Sequence, residues 1–224
     1  MIPLRDDVPT RRVPVVNYLL IAANIFVFLL EWLAGPNQDT LVYHFALIPA
    51  HFSSGLSLGD ITDIFTGMFM HAGFTHLAGN MLYLWIFGDN VEDNMGAAKY
   101  LAFYLLGGMV ASIAHIITNP GSQIPTVGAS GAIAAVLGAY LVLYPHSRVL
   151  TFIPLGFFMR LTAVPAYIVL GLWFILQLFS GVLSLGGPDV GGVAFWAHIG
   201  GFLAGVVMAK LFANPRQQEY VMRW

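Results

Sequence analysis

The chain has 224 residues, of which 58% are hydrophobic and only 9% charged, and its formal net charge is −2. Soluble domains carry about 25% charged residues, so this composition predicts a protein that crosses a membrane several times. The chain contains no cysteine, which excludes disulfides and thiolate metal sites. It also has no run of basic residues, which excludes nucleic acid as a partner and leaves partners in or beside the bilayer.

Charge-free stretches along the chain predict six membrane-spanning helices. A helix needs about 20 apolar residues to cross the hydrocarbon of a bilayer. The long uncharged interval from residue 100 to residue 144 holds two spans, because Asn119, Pro120 and Gly121 break it. The predicted spans are 15–33, 68–87, 100–118, 130–144, 162–183 and 193–212. The fold class is therefore an all-α integral membrane bundle with a short fourth helix, in which residues 1–14 precede the membrane domain 15–212 and residues 213–224 form a tail.

The basic residues predict the orientation of this bundle. Basic residues gather on the cytoplasmic side of membrane proteins. All of them fall on alternate ends of the six spans, so both termini are expected in the cytoplasm. The lack of an extra soluble domain favours a minimal prokaryotic form, so the inner membrane of a prokaryotic cell is the expected location. The nine are Arg5, Arg11, Arg12, Lys99, Arg148, Arg160, Lys210, Arg216 and Arg223.

The longest non-cytoplasmic connection, residues 35–67, is expected to lie in the membrane interface. Its apolar residues alternate with polar ones at roughly helical spacing, as in an interfacial amphipathic helix. These apolar residues are Leu56, Ile61, Ile64 and Phe65.

Two polar residues of the predicted spans can support nucleophilic catalysis. Ser130 begins the fourth span from the outer side, and His198 lies about five residues into the sixth from the same side. At about 1.5 Å per residue the fourth helix covers only about 20 Å, so its start is expected below the outer surface, under a dip that water can enter. Polar groups inside a membrane are candidates for function.

Helical spacing predicts how the serine and the histidine meet. Ser130, Ala134 and Gly138 share one face of their helix, while His198 shares a face with small residues at 201 and 205. Stripes of small residues let membrane helices pack closely. The contact between the fourth and sixth spans is therefore expected to bring Ser130 and His198 within reach.

The second span adds His76 and Asn80, which lie four residues apart on one face at the same depth. An amide and an imidazole aimed at a carbonyl can stabilise an oxyanion. No Asp or Glu is expected within the bundle at this depth, so a dyad rather than a triad is predicted.

Other interpretations of these residues stay open at this point. A lone serine or histidine in a membrane helix is more often a packing or hydrogen-bonded group. A metal site is a weaker possibility, since His71 and His76 lie five residues apart outside any H-E-x-x-H motif. A histidine-relay channel or carrier would use His76 and His198.

No cofactor is predicted, and Glu92 is expected to pair with backbone amides or a nearby base. No role is assigned to His44, His51, His115 or His146.

Taken together, three motifs resemble those of the rhomboid intramembrane serine proteases. They are His76-x-x-x-Asn80, Gly128-x-Ser130-Gly131 and Ala197-His198-x-x-Gly201-x-x-x-Gly205, and they occur in the family's order on the expected spans. Residues Gly88, Glu92 and Gly96 resemble the family's turn after the second span.

This resemblance implies roles for the same residues. Ser130 would be the nucleophile, His198 the general base, and Asn80 and His76 the oxyanion donors together with the backbone N–H of Ser130. The substrates would be transmembrane segments of other proteins, cut near their outer end, with the fifth span and residues 184–192 acting as a gate. A rhomboid-like pseudoprotease that binds membrane clients is the alternative within the family. The oligomeric state does not follow from the sequence.

The chain departs from the family pattern at two points. Many members have an aromatic residue four positions after the serine, where its ring stacks on the catalytic imidazole, and this chain has Ala134. Trp196 or an aromatic from another span is expected to take that place. The first outer loop also lacks the Trp-Arg pair of many members, since it reads Ala50-His51-Phe52-Ser53-Ser54.

Overall fold

The structure, a computed structural model, describes residues 1–53, 55, 57–155, 158–185 and 192–214, and most of this part of the chain is helical. Three antiparallel strands, β1 (Ile2–Asp6), β2 (Arg148–Leu155) and β3 (Phe158–Pro165), form one sheet. The α-helices among the described residues are α1 (Val15–Leu33), α2 (Gln38–Phe45), α3 (Leu58–Thr66), α4 (Phe74–Met95), α5 (Ala97–Thr118), α6 (Ser130–Leu143), α7 (Ala166–Ser184) and α8 (Phe195–Phe212).

Six of these helices correspond to the six predicted spans, which confirms the helical membrane bundle. Among the described residues, α1, α5, α7 and α8 are long and apolar enough to cross a membrane. The helix α6 is apolar but shorter, with 14 residues, as predicted for the fourth span. The remaining helix, α4, is long enough at 22 residues, but its second half is polar.

Two predicted boundaries were wrong. The second span was predicted at 68–87, whereas α4 runs from Phe74 to Met95 because a short 3₁₀ turn, Gly67–Phe69, precedes it and its polar second half stays helical. The fifth span was predicted to begin at residue 162. Residues 162–165 instead belong to β3, and α7 begins after Pro165, whose missing N–H suits a helix start.

The sheet was not predicted from the sequence. It has the order β1–β2–β3, and both pairs are antiparallel, with Ile2 opposite Phe152 and Arg148 opposite Pro165. It lies at the end of the bundle where α6 ends and α7 begins. We call this the sheet end, and the opposite end, where α6 begins at Ser130, the serine end.

The predicted amphipathic segment between the first two spans is helical. Helix α3 begins with a capping box, in which the Ser57 hydroxyl accepts the Asp60 N–H while the Asp60 carboxylate accepts the Ser57 N–H. Ile64 is buried and Ile61 is exposed, as expected for an amphipathic helix. Leu56 lies outside the described residues.

Helix α6 occupies the centre of the bundle. Every residue from Gly131 to Tyr140 is buried, as expected for a helix that is apolar on all sides. Its contact with α8 is the most extensive between two helices of the described residues. Because α6 is short, it holds its first residue, Ser130, inside the protein rather than at its surface.

Small residues make the α6–α8 contact possible, as predicted. A side chain at Gly201 would collide with the carbonyl of Gly131, and one at Gly205 would collide with the backbone of Ala135. Gly138 packs in the same way against the backbone of Phe202. The small-residue face of α6 therefore includes Gly138, as predicted, together with Gly131 and Ala135, which the predicted stripe did not include.

Glu92 is buried and anchors α1 to α4. Its carboxylate accepts the backbone N–H groups of Val16 at 3.1 Å and Asn17 at 2.6 Å. These N–H groups are free at a helix start, and a carboxylate there is favoured by the helix dipole. The expectation that Glu92 pairs with backbone amides is confirmed, but Glu92 lies inside α4 rather than in the turn expected after the second span.

Candidate active site

Ser130 is the first residue of α6 and follows a turn that requires glycine. Gly128 adopts a φ of +124°, a conformation that side chains rarely tolerate. A side chain there would also come within 2.8 Å of the His76 ring. The glycine at position 128 therefore allows the chain to turn into α6 at Ser130 and leaves space for the His76 side chain of α4.

The hydroxyl of Ser130 lies 2.8 Å from Nε2 of His198, which is a hydrogen-bond distance. The two residues are 68 positions apart, on α6 and α8. His198 is buried and Ser130 is partly buried. The close packing of these two helices at their glycines brings the serine and the histidine together.

Helix α7 orients the imidazole of His198. The side-chain oxygen Oε1 of Gln177 lies 2.8 Å from Nδ1 of His198, and the ring of Trp173 lies 5.8 Å from the imidazole at an interplanar angle of 33°. Trp173 therefore supplies the aromatic neighbour that Ala134 lacks. Trp196 was one predicted candidate for this place, and the other, an aromatic residue from another span, is the one that the structure contains.

Asn80 and His76 lie beside the turn that leads to Ser130. A Cβ atom at Gly128 would come within 2.7 Å of His76 and 3.6 Å of Asn80 Nδ2. Asn80 is buried, and His76 is partly buried. Both side chains thus lie within a few ångströms of the backbone at Gly128, two residues before Ser130.

His71 holds Asn80 in place, a role that was not predicted from the sequence. Nε2 of His71 lies 2.9 Å from Nδ2 of Asn80, and Nδ1 lies 3.3 Å from the carbonyl of Phe69. Since the carbonyl can only accept, Nδ1 carries the proton and Nε2 accepts from Asn80. The second N–H of the Asn80 amide is left for another acceptor.

The expectation of no acidic residue at this depth was wrong. Glu31 lies in α1, its side chain is fully buried, and its carboxylate accepts the backbone N–H of His71 at 3.2 Å. It contacts His71 rather than His198, so the pair of Ser130 and His198 still has no carboxylate partner among the described residues. A single Glu near the end of an apolar span could have been found as a polar intramembrane residue.

A cavity of about 1170 Å³ adjoins these side chains at the serine end. Its lining includes His76, Asn80, Ser130 and His198 together with Phe195 and Trp196. The lining also includes His115, which was expected to have no role. Its Nε2 lies 3.0 Å from Thr126 Oγ1, and its Nδ1 lies 3.2 Å from Asn119 Nδ2.

The gate predicted from the family resemblance lies partly outside the described residues. Its first element, the fifth span, is α7, whose lipid-facing side chains such as Ile175 and Phe179 are exposed. Its second element, the connection 184–192, is described only at residues 184, 185 and 192. No group of three or more His, Asp or Glu side chains within the described ranges is placed to hold a metal ion.

The arrangement contains the groups that acyl transfer requires. A hydroxyl within hydrogen-bond reach of an imidazole can be activated as a nucleophile. Amide, imidazole and helix N-terminal N–H groups nearby can stabilise the negative charge that develops on a carbonyl oxygen. The cavity leaves space for a peptide carbonyl between these two sets of groups.

Comparisons with known proteins find relatives over most of the chain. A family model described as Rhomboid domain matches residues 58–215. The rhomboid protease GluP of Bacillus subtilis is 31% identical over 212 residues, which are 94% of this chain and 37% of that protein. The mitochondrial presenilin-associated rhomboid-like protein of Homo sapiens is 30% identical over 178 residues, 77% of this chain and 45% of that protein.

A third relative, the mitochondrial rhomboid protein 1 of Saccharomyces cerevisiae, is 28% identical over 186 residues, which are 80% of this chain and 52% of that protein. The chain thus spans about half or less of the length of these curated relatives.

Proposed function

Because the chain belongs to the rhomboid family, we propose that it is an intramembrane serine endopeptidase that cleaves transmembrane segments of other membrane proteins. The observation that carries the proposal is the hydrogen bond of 2.8 Å between Ser130 Oγ and His198 Nε2. A pseudoprotease needs neither residue. The proposal assigns the catalytic roles to Ser130, His198, Asn80 and His76.

The reaction begins when Ser130 Oγ attacks the carbonyl carbon of the scissile peptide bond while His198 Nε2 takes the hydroxyl proton. The negative charge on the carbonyl oxygen is stabilised by the free amide N–H of Asn80, by His76 and by the backbone N–H of Ser130. The C–N bond then breaks, and His198 returns its proton to the leaving amine. Water enters from the cavity and hydrolyses the acyl group on Ser130 by the same steps in reverse order.

The position of Ser130 argues for a substrate that lies in the membrane. The serine is held inside the bundle by the short helix α6, so a substrate must bring its peptide bond down to the cavity. A segment in helical conformation hides its carbonyls in hydrogen bonds, so it must unwind locally before Ser130 can attack. Cleavage is therefore expected near the outer end of the substrate's span, where water reaches the cavity.

Charge distribution supports an orientation in which the sheet end faces the cytoplasm. Arg5, Lys99, Arg148 and Arg160 all lie in or beside the elements of that end. We place both termini on this side, and we place the protein in a prokaryotic inner membrane, although the relatives also include mitochondrial proteins.

The proposed domain division has three parts: an N-terminal segment 1–14, the membrane domain 15–212 and a C-terminal tail 213–224. Residues 215–224 of the tail lie outside the described residues.

A fluorophosphonate probe tests the proposed nucleophile directly. The purified protein in detergent is incubated with the probe, and the modified residue is identified by mass spectrometry. We expect a covalent adduct on Ser130 that disappears in His198→Ala, because the hydroxyl is unreactive without its base. Labelling of a different serine, or no labelling of a folded wild type, would contradict the assignment. A protein that worked as a His-relay channel would conduct protons whether or not the probe had been added.

A further inference from the structure

Gln177 is the one side-chain amide of α7, a helix that is otherwise apolar apart from Tyr167, Ser180 and Ser184. It is half-buried and faces α8 rather than lipid, and its Oε1 lies 2.8 Å from Nδ1 of His198. A polar side chain inside a membrane helix is costly unless it is used. This contact involves Nδ1, the ring nitrogen that does not bond to Ser130.

The two contacts of the imidazole determine which nitrogen carries the proton. To act as a base toward Ser130, Nε2 of His198 must present its lone pair, so the proton of the neutral ring must lie on Nδ1. The amide oxygen of Gln177 is an acceptor, and it matches that tautomer. If Nδ1 had no acceptor, the ring could turn or move its proton to Nε2, where it would block the attack.

No carboxylate takes this place among the described residues that line the cavity, none of which is Asp or Glu. The hydrogen-bond partners of the His198 ring within the described ranges are Ser130 and Gln177. A neutral amide fixes the orientation of the ring without adding a negative charge to the site. Gln177 therefore occupies the position that a carboxylate takes in a catalytic triad, but it adds no negative charge beside the imidazole.

Trp173 lies one helical turn before Gln177 on the same face of α7. Its ring lies 5.8 Å from the imidazole, while Gln177 holds the edge of the same imidazole. Apart from the bond to Ser130, both groups that contact the imidazole here therefore come from α7. The remaining surface of α7 is largely exposed at Ile175, Leu176 and Phe179, so the helix lies at the edge of the bundle.

We infer that Gln177 is a positioning residue that holds His198 in the tautomer needed for catalysis, so that the site is competent only while α7 lies against α8. The inference rests on the proposed serine endopeptidase function. It adds to that function a side chain that neither contacts the substrate nor exchanges a proton. A displacement of α7 would withdraw both Gln177 and Trp173 from the imidazole.

Three substitutions at this position separate orientation from packing. Gln177→Leu keeps the size but removes the acceptor, Gln177→Asn keeps the amide but is one methylene too short, and Gln177→Glu restores an acceptor at the same length. Leu19→Ala, on the exposed face of α1 and outside both the site and the predicted gate, is the control. For each purified variant, kcat and KM for cleavage of a transmembrane substrate are measured against pH, together with the rate of fluorophosphonate labelling and the melting temperature.

We expect Gln177→Leu and Gln177→Asn to lower kcat by about 10- to 100-fold, a part of the 10²–10⁴ that a general base supplies, with KM within about twofold. Labelling of Ser130 slows by the same factor. Gln177→Glu recovers kcat at its optimum, and the acidic limb of its pH profile moves to higher pH because a carboxylate favours the protonated, inactive imidazole. The Leu19→Ala variant matches the wild type.

The inference is wrong if Gln177→Leu is folded and keeps the wild-type kcat and labelling rate. It is also wrong if Gln177→Glu has the wild-type pH profile, which remains measurable even where Gln177→Leu does not fold. Failure of the proposed function gives a different result, because the folded wild type would then neither cleave the substrate nor react with the probe at Ser130.

Discussion

At the residue scale, the sequence points to the reacting groups but not to the residues that orient them. Ser130, His198, Asn80 and His76 can be predicted because polar residues stand out in apolar spans. The residues that orient them differ: His71 contacts Asn80 from a loop, and Gln177 contacts His198 from the preceding helix, 21 residues away. Gln177 is itself a polar residue in an apolar span, so the same signal could have found it. Its partner could not be found, because no spacing relates residue 177 to residue 198.

Asn80→Ala tests the proposed oxyanion group. The substitution removes the free amide N–H that would face the developing charge, and we expect kcat to fall by about 10²–10³ with little change in KM. The control is Asn37→Ala, which removes an exposed amide that does not line the cavity. Steady-state cleavage of a transmembrane substrate measures both. An Asn80→Ala enzyme with wild-type kcat would remove this residue from the mechanism.

At the element scale, the lengths of apolar segments predict the spans well, because the bilayer sets a length that a helix must match. The sheet is different. Strands β2 and β3 are apolar segments beside the bundle, and a short apolar run does not distinguish a strand from a buried helix. Pairing between β1 and β2 joins residues about 150 positions apart, which no local pattern reveals.

The contact between α6 and α8 predicts a difference between two glycine substitutions. In Gly205→Ala the new Cβ would come within 2.7 Å of Ala135 Cα, whereas nothing lies within 4 Å of a Cβ at Gly171 in α7. Forcing a methyl group into close packing costs about 1–3 kcal/mol. Thermal unfolding in detergent should therefore show a lower melting temperature for Gly205→Ala.

The matched variant Gly171→Ala should unfold at or slightly above the wild-type temperature, since alanine favours a helix over glycine. Equal melting temperatures for the two variants would contradict the assignment of Gly205 to the closest helix contact. Activity should fall only in Gly205→Ala, because that contact brings Ser130 to His198.

At the scale of the whole molecule, the N-terminal strand connects the sheet end to the helix that carries Ser130. The hydroxyl of Tyr140, near the end of α6, donates a hydrogen bond to the carboxylate of Asp6 in β1. The carboxylate of Asp7 accepts the backbone N–H of Arg148 at 2.8 Å, which fixes the start of β2. The first residues of the chain thus hold the far end of α6 in place.

Asp6 makes the stability of this arrangement dependent on pH. Burial raises the pKa of Asp6 to about 6, and the neighbouring charge of Asp7 adds to the effect while the Tyr140 hydrogen bond opposes it. Because the folded protein binds this proton more tightly than the unfolded chain, the contribution of Asp6 to stability is complete below about pH 4 and is lost as the pH rises through about 6. The free energy involved is at most about 3 kcal/mol.

Asp6→Asn tests this dependence. The amide oxygen still accepts from Tyr140 but has no charge to bury, so the loss of stability between pH 4 and pH 7 should be smaller in this variant than in the wild type. Melting temperatures against pH measure the difference, with Asp39→Asn, which changes an exposed carboxylate in α2, as the control. Parallel curves for Asp6→Asn and the wild type would show that this carboxyl is not the titrating group.

The central claim is that Ser130 is the nucleophile of an intramembrane protease. The most direct measurement compares the rate at which the purified wild type and Ser130→Ala cleave a transmembrane substrate in detergent, after both are shown to fold. We predict at least about a hundredfold loss in Ser130→Ala, since loss of the nucleophile should cost no less than loss of an oxyanion donor. Cleavage by Ser130→Ala at the wild-type rate would contradict the account.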